Sequence, residues 1–125
     1  MASCPQPNTS TWLNTAAAIV AYTAVKLADD AGLTVAKSTA ATDKSIGIAQ
    51  NAGAAAGGDP IEVAMPGGGS KALLGGTVAY GDYLAPDSAG KLVATTTAND
   101  NVIAQALQAG VAEDIISVQV LNFNY

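Results

Sequence analysis

The sequence predicts a single all-β domain, mostly strand with one or two short helical turns, and three observations carry that expectation. Short runs of alternating or β-branched residues recur between Asp, Gly and Pro turn signals. The two stretches with helical character, residues 52–56 and 70–74, are too short to stand alone beside their flanking glycines. The chain also repeats itself, which divides one domain into two related halves.

The repeat is visible as four blocks in the same order. Val20-Ala21-Tyr22 returns as Val78-Ala79-Tyr80, and Asp29-x-Ala31-Gly32 as Asp87-x-Ala89-Gly90, both at an offset of 58. Ile46-x-x-Ala49-x-x-Ala52-Gly53 returns as Ile103-x-x-Ala106-x-x-Ala109-Gly110 at 57, and Ile61-x-Val63-x-Met65 as Ile116-x-Val118-x-Val120 at 55. Two copies of a long unit indicate paired halves of one core, about residues 18–65 and 76–121, because a solenoid needs three or more.

Each half reads alike. A first strand runs to an Asp-x-Ala-Gly turn, where Asp bonds the backbone two residues on and Gly accepts positive φ. A Thr/Val-rich return strand follows, over residues 33–38 or 91–97. Next comes an apolar strand, 46–49 or 102–107, then a small-residue loop. The half ends on an alternating strand in which Ile61, Val63 and Met65, or Ile116, Val118 and Val120, share one face. Gly67-Gly68-Gly69 reads as a flexible connector between halves. Ser70-Lys71-Ala72 behind it does not match a phosphate-binding loop, whose Lys follows Gly and precedes Ser or Thr.

Residues 1–15 differ in character. Two prolines and an Asn/Ser/Thr cluster show neither strand nor helix period, so they read as an extended N-terminal arm preceding a β-rich domain at 16–125. Thr9, Ser10, Thr11, Trp12, Leu13 and Asn14 form its candidate contact segment. Trp12 is the arm's one side chain large enough to anchor an interface, and it either tucks onto its own domain or meets a partner.

Composition excludes most chemistry. The chain of 125 residues has no His and no Arg, five Lys against ten acids, and a net charge of −5. Without imidazole there is no Ser-His-Asp or Cys-His arrangement. One cysteine, Cys4, makes neither a disulfide nor a thiolate zinc site. The ten acids sit mostly in turn positions that local backbone bonding explains. No enzyme, no cofactor and no metal are expected. Nucleic acid and anionic membrane lack the basic cluster they would need. No secretory pattern or membrane-length apolar run occurs, so a soluble protein made in a cytoplasm is expected. Only 5% of the chain is aromatic while Ala and Gly are abundant. Such a core gains little per residue, which points to burial completed by a partner or by self-association.

In layout the chain resembles the capsid cement, or head-decoration, proteins of tailed bacteriophages. The resemblance rests on Ile46-Gly47-Ile48-Ala49, then Gly58-Asp59-Pro60-Ile61-Glu62-Val63-Ala64-Met65-Pro66-Gly67. Gly75-Gly76, Gly81-Asp82-Tyr83-Leu84 and Asp87-Ser88-Ala89-Gly90-Lys91-Leu92-Val93 follow, and an alternating strand closes the chain over residues 115–121. It spans roughly residues 18–121; the tail Asn122-Phe123-Asn124-Tyr125 departs from it. The resemblance implies a β-tulip or barrel-like fold, a homotrimer, and a place on the outer surface of the virion head. Its implied partner is the major capsid protein, which the arm would meet through residues 9–14. A head fibre or carbohydrate-binding virion surface protein is the alternative. Solvent-facing aromatics on one face would favour it, but Tyr22, Tyr80 and Tyr83 are expected within strand regions. A generic bacterial β-module ranks third and an enzyme last.

Overall fold

The computed structural model describes residues 9–14, 18–28, 34–52 and 60–125. Ten strands are present among the described residues: β1 (Thr9–Asn14), β2 (Ala24–Leu27), β3 (Thr34–Lys37), β4 (Ser45–Ala49), β5 (Pro60–Ala64), β6 (Gly69–Leu73), β7 (Tyr83–Pro86), β8 (Leu92–Ala94), β9 (Asn101–Ala106) and β10 (Ile115–Asn124). The fold is all-β, and no helix occurs among the described residues. The expected turn at 70–74 is instead strand β6, paired with β10 from Gly69 to Leu73. Ladder pairing along five residues outweighs the weak helical preference of a segment this short. The other expected helical stretch, 52–56, lies almost wholly outside the described residues.

Strands β1 to β5 close into a barrel in the order β1-β3-β2-β4-β5, and β6 to β10 form a sheet in the order β6-β10-β9-β7-β8. These are one topology drawn twice. β1–β5 and β6–β10 are antiparallel, as are β4–β5 and β9–β10, β2–β4 and β7–β9, and β2–β3 and β7–β8. Register is shared as well. Ala49 opposes Val63 as Ala106 opposes Val118, and Lys26 opposes Ala36 as Leu84 opposes Ala94. The halves differ in closure: a parallel β1–β3 ladder at Leu13 and Asn14 seals the barrel, while in the second unit one parallel bridge, Leu74 to Leu92, stands in its place.

The duplication read from sequence therefore holds, with two corrections. The units begin earlier than expected, at β1 and β6, which share no sequence block. And Val20-Ala21-Tyr22 is one residue out of step with its structural counterpart. Buried Ile19, not exposed Val20, matches buried Val78. Tyr22, with φ of 67°, matches Gly81, with φ of 83°, and each donates its N–H to the end of the apolar strand, at Ala49 O and Ala106 O. A register shift between Val25 and Lys26 absorbs the extra residue.

Two clusters fill the interior. Ile19, Val25, Val35, Ala49, Ile61 and Val63 fill the barrel, flanked by Trp12, Ile46 and Met65. The second joins the units: Ala24, Ile48 and Ala64 on the barrel's outer wall pack against Leu74, Leu84, Ile103, Ile116, Val118 and others beneath the open sheet. Backbone bonds stitch the same junction, from Ala24 N to Gly90 O, Leu73 N to Tyr22 O and Asn101 N to Ala41 O. Gly90, in the Asp87-Ser88-Ala89-Gly90 turn, has φ of 79°, and a Cβ there would meet Ser38 O at 3.1 Å. The equivalent first-half turn lies outside the described residues.

The N-terminal segment corrects the expected domain division. Residues 9–14 are a barrel stave, not an arm apart from the domain: β1 pairs with β5 from Thr9 to Leu13. Thr and Trp favour a pleated, half-buried surface, and the closed barrel supplies one. Residues 1–8 lie outside the described ones.

Candidate functional site

Asp43, Asp82, Asp87 and Asp114 are engaged in turns. Asp87 Oδ1 accepts the N–H groups of Ala89 (2.8 Å) and Lys91 (3.1 Å). Asp82 Oδ2 accepts Ala79 N–H at 3.0 Å, and Asp114 Oδ2 accepts Val111 N–H at 3.0 Å. Asp43 Oδ2 gathers Thr39 N–H (2.8 Å), Ala40 N–H (3.2 Å) and Lys26 Nζ (3.1 Å). Its carboxyl is held below the ordinary value, chiefly by the Thr39 N–H; burial opposes this, and Lys26 and Ala40 add to it. Among the described residues no group of three His, Cys, Asp or Glu side chains could hold a metal ion. Ser70 and Lys71 belong to β6 rather than to a flexible connector, and Ser70 Oγ is occupied by Gln50 Nε2 at 2.8 Å. The one left-handed glycine of the Gly67-Gly68-Gly69 run is Gly67, in the turn before β6.

The six residues expected to touch a capsid are together on β1 but not alike. Trp12 is half-buried against the barrel core. Thr11 is exposed and its hydroxyl donates to Glu62. Leu13 is 44% exposed. Thr9, Ser10 and Asn14 are fixed by backbone pairing to Ala64, Val63 and Val35. Because β1 already has β5 along one edge, that edge cannot add to a foreign sheet.

The feature that sequence reasoning missed is an aromatic face on the second unit. Tyr83, on β7, turns outward. Its ring meets Phe123 edge-on, with centroids 5.0 Å apart at 86°, and Tyr125 at 6.4 Å and 70°. The tail that departed from the resemblance is the end of β10, paired to β9 at Phe123–Val102 and Asn124–Asn101 beyond a register shift. Tyr125 N–H closes it onto Asp100 O at 2.8 Å. Beside these rings lies a cleft of about 310 Å³ lined by Gly81, Asp82, Tyr83, Ala94, Thr95, Thr96 and Tyr125. Tyr80, at the turn just before it, is 79% exposed. Tyr83 thus lies on a strand as expected, but with its ring toward solvent, while Tyr22 and Tyr80, also expected in strand regions, lie in turns. The available signal was the alternation Phe123-x-Tyr125, which continues a strand's period of two.

No protein-family description and no characterised protein matches this sequence. In three dimensions the chain is similar to the head fiber gp8.5 N base in bacteriophage phi29. The TM-score is 0.71, the identity 16%, and the match covers 94% of this chain and 99% of that one. At this identity the likeness establishes the fold alone, over nearly all of both chains.

Proposed function

We propose that this chain is a structural protein of a tailed-bacteriophage head, seated outside the mature shell across adjacent major capsid protein subunits and stabilising it. The observation that carries the reading is the likeness in fold, over nearly all of both chains, to a phage head fibre base. The cement-protein resemblance in sequence supports it independently, and the turn-bound acids supply no competing chemistry.

The mechanism is mechanical. A folded wedge that binds only the expanded shell stabilises that state by mass action. Many modest contacts repeated by icosahedral symmetry add avidity. The chain acts as a homotrimer at threefold positions under this reading. Within β1, Leu13 and Thr11 are the contact candidates; Trp12 serves the barrel instead. The test is thermal disruption of purified expanded heads with and without the protein. Added protein is expected to raise the disruption temperature, and an unchanged temperature at full occupancy argues against a stabilising role.

A second reading, that the domain is the seat of a head fibre, is favoured by the matched protein being an N base. It differs in leaving shell stability unchanged, so the same experiment separates the two.

A further inference from the structure

We propose that the outer face of the second unit, at the cleft beside Tyr83 and Tyr125, binds a neutral saccharide. In the first unit, Ala24, Ile48 and Ala64 form a row across β2, β4 and β5, each opposing the next in register. All three are fully buried against the second unit. The equivalent row of the second unit, across β7, β9 and β10, is Tyr83, Gln105 and Gln119. Among the described residues no second sheet packs over it, and Tyr83 is 38% exposed. Three positions that are wholly apolar where they dock on a sheet, two alanines and an isoleucine, are aromatic and amide-bearing where they face outward.

The chemistry of that face narrows its partner. Gln105 Nε2 donates to Gly81 O at 3.2 Å and Gln119 Nε2 to Gly68 O at 3.1 Å, so both amides are held in place. Tyr83 is fixed edge-on between two rings, so little side-chain freedom is lost on binding. Among the described residues the one charged side chain lining the cleft is Asp82, and no Lys lines it. An anionic ligand is therefore repelled. A purely apolar ligand would desolvate the Asp82 carboxylate and the exposed Thr96 hydroxyl without giving either a new partner. A sugar ring satisfies both demands: its C–H face lies on an aromatic ring, and its hydroxyls reach the carboxylate, the threonine and backbone carbonyls. The proposal does not depend on where, or whether, the protein sits on a shell.

The experiment is an amide-resolved NMR titration of the full chain with chitotetraose, cellotetraose and maltotetraose. Saturable shifts confined to residues 81–83, 94–96 and 125 are expected with at least one of them, at up to about 10 mM, the range of a single weak subsite. Tyr125→Ala is expected to weaken binding by about tenfold or more, the loss of one aromatic platform. Thr96→Arg, at an exposed position that leaves the rings intact, is expected to block the cleft while the remaining spectrum stays unchanged. No saturable shift with any of the three sugars overturns the proposal. So do shifts that survive both substitutions.

Discussion

Gly47 lies directly against the backbone of Ala64: a Cβ at Gly47 would stand 2.2 Å from the Ala64 carbonyl oxygen and 2.6 Å from Val63 Cγ1. Its counterpart in the second unit is Ala104, buried in a sheet that never closes. Closing five strands into a barrel draws β4 onto β5 more tightly than an open sheet requires. Gly47→Ala is therefore expected to destabilise the protein by about 3 kcal/mol or more through overpacking. Ala104→Gly is expected to cost about 1 kcal/mol. Urea unfolding of the two variants measures the difference.

The N-terminal strand is part of the fold on the same reasoning. Deleting residues 1–14 removes β1, opens the barrel and exposes the β5 edge, so an unfolded or aggregating product is expected, detectable by circular dichroism and light scattering. Trp12→Ala alone is expected to cost about 3 kcal/mol by emptying the flank of the barrel core.

Strand β5, which lines that barrel core, was legible as a strand, and the reason is specific. Ile61, Val63 and Met65 alternate with Glu62 and Ala64, so the inward set could be read by counting in twos. The repeat was legible because its apolar and turn blocks recur in order. β1 and β6 were not, since TSTWLN and GSKAL share no pattern and their equivalence lies in pairing with β5 and β10 alone. The aromatic face was hidden for a similar reason. Tyr83, Gln105 and Gln119 are far apart in sequence and become a row only through register.

That register makes a prediction about unequal tolerance. Ala24 and Tyr83 are equivalent, but Ala24 is fully buried and Tyr83 is 38% exposed. Ala24→Tyr is expected to cost about 3 kcal/mol or more, since a ring cannot fit between the units. Tyr83→Ala is expected to cost about 1 kcal/mol. Thermal unfolding of both variants checks the equivalence directly.

Asp43 sets part of the acid stability. Its folded-state pKa lies below the ordinary 3.8. A carboxyl with a depressed pKa stabilises the fold fully above the unfolded value, and that contribution is lost as pH falls through the folded one. The wild-type unfolding midpoint is expected to decline below about pH 4 as this contribution is lost. Asp43→Asn is expected to be less stable at neutral pH by about 1 kcal/mol and to show a flatter acid limb. Chemical unfolding of both proteins across pH 2–7 tests the sign.

The central claim, a seat on the outside of the mature head, is tested most directly by cosedimentation of the purified protein with expanded heads and, in parallel, with unexpanded procapsids of its phage. Saturable binding to expanded heads at a fixed number of copies per shell, with little or none on procapsids, is the predicted result. Failure to bind expanded heads that lack the protein would contradict it.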